Sequence, residues 1–175
     1  MSDITKVLRA ASFAAHKHKD QRRKDPEASP YINHPLALAR ILAEEGGVQN
    51  AATLCAALLH DTLEDTDATQ SELASQFGEE VAAIVAEVTD DKSLAKEERK
   101  RLQSEHAPHL SDPAKRVKLA DKIANLRDVA TTPPVDWNLE RRQEYFDWAK
   151  SVINRLRGVD PRLEAVFDAA FRARP

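Results

Sequence analysis

A histidine and three carboxylates stand together in the segment HDTLED, residues 60–65. The segment before them is almost wholly apolar, so the first of these side chains are expected to be buried. Burying charge is costly unless a partner neutralises it, and a divalent cation is the natural partner for a neutral imidazole beside a carboxylate. The sequence therefore predicts a metal ion held by His60 and Asp61. Glu64 and Asp65 lie one helical turn further on, suited to accept a proton from water, as in a metal-dependent hydrolase.

Two other segments offer further ligands of the same kinds. His34 stands where a polar loop enters a helix, just before Pro35. Asp121 stands in an apolar-patterned helix, where a charge on the inner face needs a compensating partner. With His60 and Asp61 they would form a site of two nitrogens and two carboxylates, which favours a borderline or hard divalent ion over a thiolate zinc site. We expect one Mn²⁺ per chain, and Fe²⁺, Co²⁺ and Zn²⁺ are compatible with the same ligands.

Composition limits the classes of protein that this chain can represent. The 175 residues are 42% hydrophobic, which suits one compact domain over residues 1–175. A net charge of −3 gives no general electrostatic basis for binding nucleic acid or an anionic membrane. No apolar run is long enough to span a bilayer, and the single cysteine, Cys55, excludes an intrachain disulfide. We therefore expect a cytoplasmic protein that binds neither nucleic acid nor membrane.

The elements that must position these residues are helices. Apolar residues recur at helical spacing along most of the chain, and no alternating strand pattern appears. The first helix is expected to bury the face that carries Ile4, Val7, Leu8, Ala11, Ala14 and Ala15. Expected N-caps are Asn50, Thr69, Asp112 and Asp160, and expected helix ends are Gly46-Gly47, Gly78 and Gly158. The pattern predicts an all-α fold, a single helical bundle of about eight to ten helices.

The metal-binding pattern resembles the HD superfamily of metal-dependent phosphohydrolases, whose signature is H…HD…D. Four blocks in order narrow the resemblance to the hydrolase domain of the Rel/SpoT proteins: RRKDP (22–26), PYINHP (30–35), HDTLEDT (60–66) and KLADKIANLRD (118–128). The short chain and segment 140–158 look most like the stand-alone small alarmone hydrolases of the metazoan SpoT homologue type. The resemblance covers roughly the whole chain and implies an HD-domain fold.

The resemblance also implies an activity and a set of roles. The family hydrolyses the 3′-pyrophosphate of (p)ppGpp, a small guanine nucleotide, to give GDP or GTP plus pyrophosphate. It implies a Mn²⁺ site at His34, His60, Asp61 and Asp121, with Glu64 and Asp65 matching the pair that activates the attacking water. Arg23, Lys24, Asn125 and Tyr145 match positions that contact the nucleotide. One departure is that relatives often carry a glycine before the PYINHP block, where this chain has Ala28.

Several of these residues also have ordinary structural interpretations. Asp121 could pair with Lys118 or Lys122 as a helix ion pair, and Arg22 to Lys24 could be a solvated charge run. The four remaining histidines, His16, His18, His106 and His109, are expected at the surface. Trp137, Phe146 and Trp148 are expected to serve mainly in packing.

Two other functions are compatible with the sequence. An enzyme of the same fold could remove a single phosphate from a nucleotide, such as the 2′-phosphate of NADPH. A helical module could instead sense a nucleotide without cleaving it, although Glu64 and Asp65 argue against mere binding. The chain is too short to add the synthetase and regulatory domains of the full-length Rel/SpoT proteins, so we expect it to degrade alarmone and not to make it.

Overall fold

Helices are the only extended regular elements in residues 2–175, which is the part of the chain that the computed structural model describes. The ten α-helices are α1 (Asp3–Lys17), α2 (Asn33–Arg40), α3 (Ala51–Leu59), α4 (Thr62–Asp65), α5 (Gln70–Phe77), α6 (Glu79–Val88), α7 (Lys96–His106), α8 (Asp112–Thr131), α9 (Leu139–Asn154) and α10 (Pro161–Phe171). A π-helical turn, Ile41–Glu45, continues α2, and a 3₁₀ turn, Ala107–His109, continues α7. The predicted all-α class is confirmed. Among these helices, none has the length and apolar character that crossing a membrane requires.

The helix limits predicted from capping residues are confirmed at most positions. Backbone N–H groups in the first turns of α3, α5 and α10 donate to the side chains of Asn50, Thr69 and Asp160. Gly78 and Gly158 adopt positive φ angles of 93° and 97°, a conformation that few other residues tolerate. The cap of α8 differs from the prediction, because the hydroxyl of Ser111, not the carboxylate of Asp112, accepts the first-turn N–H.

The buried face of α1 overlaps the predicted one only in part, because Val7, Ala11 and Ala14 face the core as predicted but Ala15 is exposed. Ile4 and Leu8 are 75% and 65% exposed, whereas Ala10 and Ala14 are fully buried against the core. This stripe packs on α3, where alanines allow two helix backbones to approach closely. The apolar residues of α1 cover more than one face, so periodicity alone did not identify the face that packs.

The core is organised around α8, a 20-residue helix that is buried along most of its length. It packs against α2, α3, α6, α9 and α10. The second central element is α3, which buries a run of alanine, leucine and Cys55 side chains and contacts α8 directly. Cys55 is fully buried, as expected for a small core residue, and burial raises the pKa of its thiol to about 11. The end of α3 and the middle of α8 are therefore brought together inside the protein.

Candidate active site

The His60-Asp61 pair lies at a break between two helices. The sequence analysis places Glu64 and Asp65 one helical turn beyond His60 and Asp61, but the helix is interrupted between them, since α3 ends at Leu59 and α4 begins at Thr62. The hydroxyl of Thr62 donates to the carbonyl of Leu59 at 2.7 Å, so a side chain replaces the helical hydrogen bond there. Asp61 adopts φ −98° and ψ 0°, a sparsely populated backbone conformation common at active sites. The break directs His60 and Asp61 toward α8.

The structure brings three of the four predicted metal ligands together, and the fourth lies beside one of them. His34, His60 and Asp121 each offer one ligand atom, and these atoms all lie within 4.8 Å of one another. Nε2 of His34 lies 3.2 Å from Oδ1 of Asp121, and the two imidazole centroids are 5.2 Å apart. Asp61 is outside this group of three, but its Oδ2 lies 2.9 Å from Nε2 of His60.

The hydrogen bonds of His60 fit a metal ligand. Its Nδ1 lies 2.9 Å from the carbonyl oxygen of Ala57, which can only accept, so Nδ1 carries the proton. In the neutral ring the lone pair is then on Nε2, which is buried and makes no hydrogen bond of adequate geometry within residues 2–175, although it lies 2.9 Å from Oδ2 of Asp61. This is the tautomer that metal-binding histidines adopt, held by a backbone carbonyl. The hydroxyl of Tyr31 donates to Asp61 and orients that carboxylate.

The buried charges shift one another's proton affinities. Burial alone would lower the pKa of His60, but Asp61 and Asp121 outweigh it and raise that pKa to about 9, so a metal ion at Nε2 would have to displace a proton. Burial lowers the pKa of His34. Although burial opposes the shift, the neighbouring histidines and Lys122 hold the pKa values of Asp61 and Asp121 well below the usual range. The site is thus a dense cluster of mutually compensating charges.

Asp121 makes further contacts along α8. Nδ2 of Asn125 donates to its Oδ1 at 2.7 Å, and Nζ of Lys122 lies 3.1 Å from its Oδ2. The alternative interpretation of Asp121 as a helix ion pair is therefore correct for Lys122, and that pair coexists with the contact to His34. Lys118, one turn earlier, is also buried but donates to the carbonyl of Val88.

The two proposed water-activating residues face the same small cavity as the ligand cluster. Glu64 and Asp65 line a cavity of about 210 Å³ together with His60 and Asp121. Oε2 of Glu64 accepts a hydrogen bond of 3.1 Å from the backbone N–H of Asp90, and burial raises the pKa of the Glu64 carboxyl. Asp65 accepts hydrogen bonds from the side chains of Gln21 and Lys92.

The residues predicted to contact the nucleotide line a larger, adjoining cleft. Arg23, Lys24, Asn125 and Tyr145 all border a cavity of about 520 Å³. Nη2 of Arg23 lies 2.6 Å from Oδ2 of Asp128 and 3.5 Å from Oδ1 of Asn125. Arg23 is half-buried, whereas Lys24 is exposed. Of these two residues, Lys24 fits the alternative interpretation as part of a solvated charge run, and Arg23 does not.

The loop that carries these cations has an unusual backbone. Ala28 adopts φ +49°, in the left-handed region that favours glycine. The loop closes on itself, because the N–H of Arg23 donates to the carbonyl of Ser29 at 2.8 Å and the N–H of Ser29 donates to Oδ1 of Asp25 at 3.0 Å. Although relatives often carry a glycine in this loop, Ala28 still adopts the left-handed turn.

Comparison with known proteins identifies the family. The HD domain family model matches residues 10–147. This chain belongs to the HD domain family. It is 59% identical to the Xenopus tropicalis guanosine-3′,5′-bis(diphosphate) 3′-pyrophosphohydrolase MESH1 over 170 residues, which are 97% of this chain and 95% of that protein. The human protein of the same name is 54% identical over 173 residues, 99% of this chain and 97% of its own length.

A solved structure agrees with the sequence comparison. The structure of a metazoan orthologue of SpoT, described as hydrolysing ppGpp, superposes with a TM-score of 0.93 at 49% identity. The match covers 97% of this chain and 95% of that one. The resemblance to the HD superfamily and to the Rel/SpoT relatives, drawn from four sequence blocks, is confirmed.

One histidine near this HD-domain site differs from the prediction. His18 was expected at the surface but is 2% exposed, with its ring centroid 4.8 Å from that of Tyr31. His16, His106 and His109 are exposed, as expected. In the sequence, the only indication that His18 could be buried is its position at the end of α1, just before the basic loop.

The aromatic residues near α9 divide into two kinds. Phe146 is fully buried, as expected for a packing residue. Trp137 and Trp148 also pack on the core, but their remaining surface lines a third cavity of about 760 Å³ beside Tyr145. Nζ of Lys122 lies 4.3 Å from the centroid of the Trp148 ring, a cation–π distance. The expectation of packing alone was therefore incomplete for the two tryptophans.

Proposed function

We propose that this chain is a metal-dependent (p)ppGpp 3′-pyrophosphohydrolase that releases pyrophosphate and leaves GDP or GTP. The observation that carries the proposal is that one set of side chains borders both the ligand cluster and the cleft. Arg23, Tyr31, His34, Asp65 and Asn125 line both cavities. A nucleotide in the cleft would therefore present its phosphates directly to the cluster. The named activity of relatives that match nearly the full chain supports the same substrate.

The ligand set proposed for the divalent ion is His34, His60, Asp61 and Asp121. The free Nε2 of His60 and the mixed imidazole and carboxylate donors support this set, and Mn²⁺ is the ion we propose for it. When bound, such an ion would acidify a coordinated water and neutralise phosphoryl oxygens. The hydroxyl of Tyr31 and the amide of Asn125 hold the two carboxylates in place.

Glu64 and Asp65 are proposed to handle the proton of the attacking water. The raised pKa of Glu64 brings its proton affinity closer to that needed for general base catalysis near neutral pH. Asp65 is fixed by two partners and lines both cavities, which places it between the cluster and the nucleotide. A binding module would have no need of two carboxylates arranged in this way.

The cleft residues are proposed to bind the nucleotide. The guanidinium of Arg23 can receive phosphate oxygens through directed hydrogen bonds, and Lys24 adds a second positive charge at the mouth of the cleft. Tyr145 and Trp137, with ring centroids 5.5 Å apart, border the same cleft and offer aromatic surface for a base or ribose. The organisation as one domain over residues 1–175 and the cytoplasmic location stay predictions.

The direct test is product analysis. Purified protein is incubated with Mn²⁺ and ppGpp, and the products are separated by ion-exchange chromatography. We expect GDP and pyrophosphate in equal amounts, little orthophosphate, and no reaction when a chelator replaces Mn²⁺. Orthophosphate as the main product, or cleavage of NADPH with ppGpp left intact, would contradict the proposal and favour a phosphomonoesterase of the same fold.

A further inference from the structure

The carboxylate of Asp65 is connected to the protein interior through Gln21. Nε2 of Gln21 donates to Oδ2 of Asp65 at 3.3 Å, and Oε1 of Gln21 lies 2.6 Å from Nδ1 of His18. Gln21 stands at the start of the basic loop, whereas Asp65 ends α4, so this contact joins segments 44 residues apart. The three side chains form a continuous chain from the buried histidine to the cavity.

The chemistry of the three groups fixes the orientation of the amide. An ionised carboxylate can only accept hydrogen bonds, so the NH₂ of Gln21 must face Asp65 and its carbonyl oxygen must face His18. Nδ1 of His18 must then carry a proton and donate it to that oxygen. If the amide rotated by half a turn, two oxygens would face each other at Asp65. The His18 contact therefore selects the one orientation that is useful at Asp65.

The surroundings hold this chain of hydrogen bonds rigidly. His18 is 2% exposed, and its ring packs on Tyr31, the residue whose hydroxyl contacts Asp61. The backbone of Gln21 is held on both sides, because its N–H donates to the carbonyl of His18 at 2.9 Å and its carbonyl accepts from the N–H of Tyr31 at 3.1 Å. By contrast, Lys92, the other partner of Asp65, has a side chain that is 51% exposed. An exposed, flexible ammonium supplies charge but little directional restraint.

We propose that Gln21 is a positioning residue that orients the carboxylate of Asp65 for the hydrolytic step, and that His18 fixes the amide of Gln21 for this purpose. The inference deepens the proposed function and depends on it, because it needs Asp65 to act on the attacking water. Catalytic carboxylates must be held in a narrow range of orientations, and a small misplacement lowers the rate of the step without weakening substrate binding.

The primary test replaces Gln21 by a residue of similar length without an amide. Gln21→Met should lower kcat for ppGpp roughly tenfold, the lower end of what a hydrogen bond to a charged group contributes. KM should change less than twofold, and the bound Mn²⁺ measured by elemental analysis should match wild type. Gln21→Glu, which sets a carboxylate against Asp65, should lower kcat further. An unchanged kcat, a loss that falls mainly on KM, or a loss of metal would overturn the proposal.

A double-mutant cycle separates positioning from general structural damage. In the Asp65→Asn background there is no catalytic carboxylate to orient, so adding Gln21→Met should change kcat less than twofold. An equal loss in both backgrounds would mean that Gln21 acts elsewhere and would overturn the inference alone. Wild-type protein that fails to hydrolyse ppGpp would instead overturn the proposed function and this inference with it. Asp65→Asn with wild-type turnover would overturn the role of Asp65 and hence this inference, but it would leave ppGpp hydrolysis standing.

Two further variants test the histidine and the specificity of the effect. His18→Phe keeps an aromatic ring beside Tyr31 but removes the donor, so it should lower kcat in the same direction as Gln21→Met and add little to it in the double variant. Gln143→Ala is the matched control, since Nε2 of Gln143 donates to the carbonyl of Pro175 at 2.8 Å, a contact of the same type that does not involve Asp65. It should leave kcat and KM at wild-type values. A comparable fall in kcat for Gln143→Ala would count against a specific role for Gln21.

Discussion

The ligand cluster and the adjoining cleft are built in opposite ways. The cluster takes its side chains from helices packed in the core, namely the start of α2, the end of α3 and the middle of α8. Its imidazoles are almost fully buried, and two of their nitrogens make no hydrogen bond within residues 2–175. The cleft takes most of its cations from a loop, and its principal arginine is already paired with Asp128. Rigid packing suits one ion, whereas a loop suits a substrate that enters and leaves.

The same difference determines how the cluster and the cleft should respond to mutation. Removing a ligand from the cluster leaves buried charges without compensation, which is costly in any packed interior. Removing a cation from the cleft exposes groups that water can still solvate. The cluster should therefore respond to mutation in an all-or-none manner, and the cleft should respond gradually.

The largest effect is expected at the ligands. His60→Ala and Asp121→Ala should abolish both bound metal and ppGpp hydrolysis, because each removes a ligand atom that no neighbour can replace. Metal content is measured by elemental analysis after Mn²⁺ loading, and folding by circular dichroism. His106→Ala removes an exposed histidine outside the site and serves as the control. Full metal content in the His60 variant would show that the ion binds elsewhere.

A smaller effect is expected at the neighbouring carboxylates. Glu64→Gln and Asp65→Asn keep the shape of each side chain but remove its ability to take a proton. Each should retain metal and lower kcat by about 10²-fold, a typical contribution of general base catalysis. Steady-state kinetics with ppGpp, together with metal analysis of the same samples, measures both quantities. If both variants turned over at the wild-type rate, the water-activating role would be wrong.

Replacing the cations of the cleft should weaken substrate binding by a graded amount. Arg23→Ala and Lys24→Ala should raise KM roughly tenfold to a hundredfold, as expected for contacts between charged groups, without loss of metal. The half-buried Arg23 should matter more than the exposed Lys24. Arg172→Ala, an exposed arginine just beyond α10, is the control. Loss of metal in the Arg23 variant would contradict the separation between cleft and cluster.

Local patterns in the sequence were sufficient to predict most of the helices and the candidate metal ligands. Helix ends depend on caps such as Asn50 and Thr69, whose hydrogen bonds reach only three residues along the chain. The candidate ligands stood out because a charged residue such as Asp121, placed in an apolar-patterned helix, needs a compensating partner. The blocks around them then defined the family.

What the sequence did not predict depends on contacts between distant segments. The burial of His18 arises from Tyr31 and from the loop that folds over it, and neither can be inferred from the spacing around residue 18. The packed face of α1 is chosen by α3. The helix break at His60 is a local exception: it depends on a side-chain hydrogen bond from Thr62 to a carbonyl three residues earlier, and threonine also occurs inside uninterrupted helices.

The smallest expected effect concerns the backbone of the cleft loop. Ala28 has φ +49°, and the left-handed conformation costs an L-residue roughly 1–2 kcal/mol. Glycine removes that cost but gives the unfolded chain about 0.4–1 kcal/mol of extra conformational entropy. Ala28→Gly should therefore raise the free energy of unfolding by up to about 1.5 kcal/mol, measured by urea denaturation, with kcat unchanged. Ala173→Gly is the matched control, because Ala173 is also an exposed alanine in a turn but does not have a positive φ. The control variant gains no relief from strain, so its free energy of unfolding should stay the same or fall. An equal fall in the free energy of unfolding in both variants would show that the left-handed turn at Ala28 is not strained.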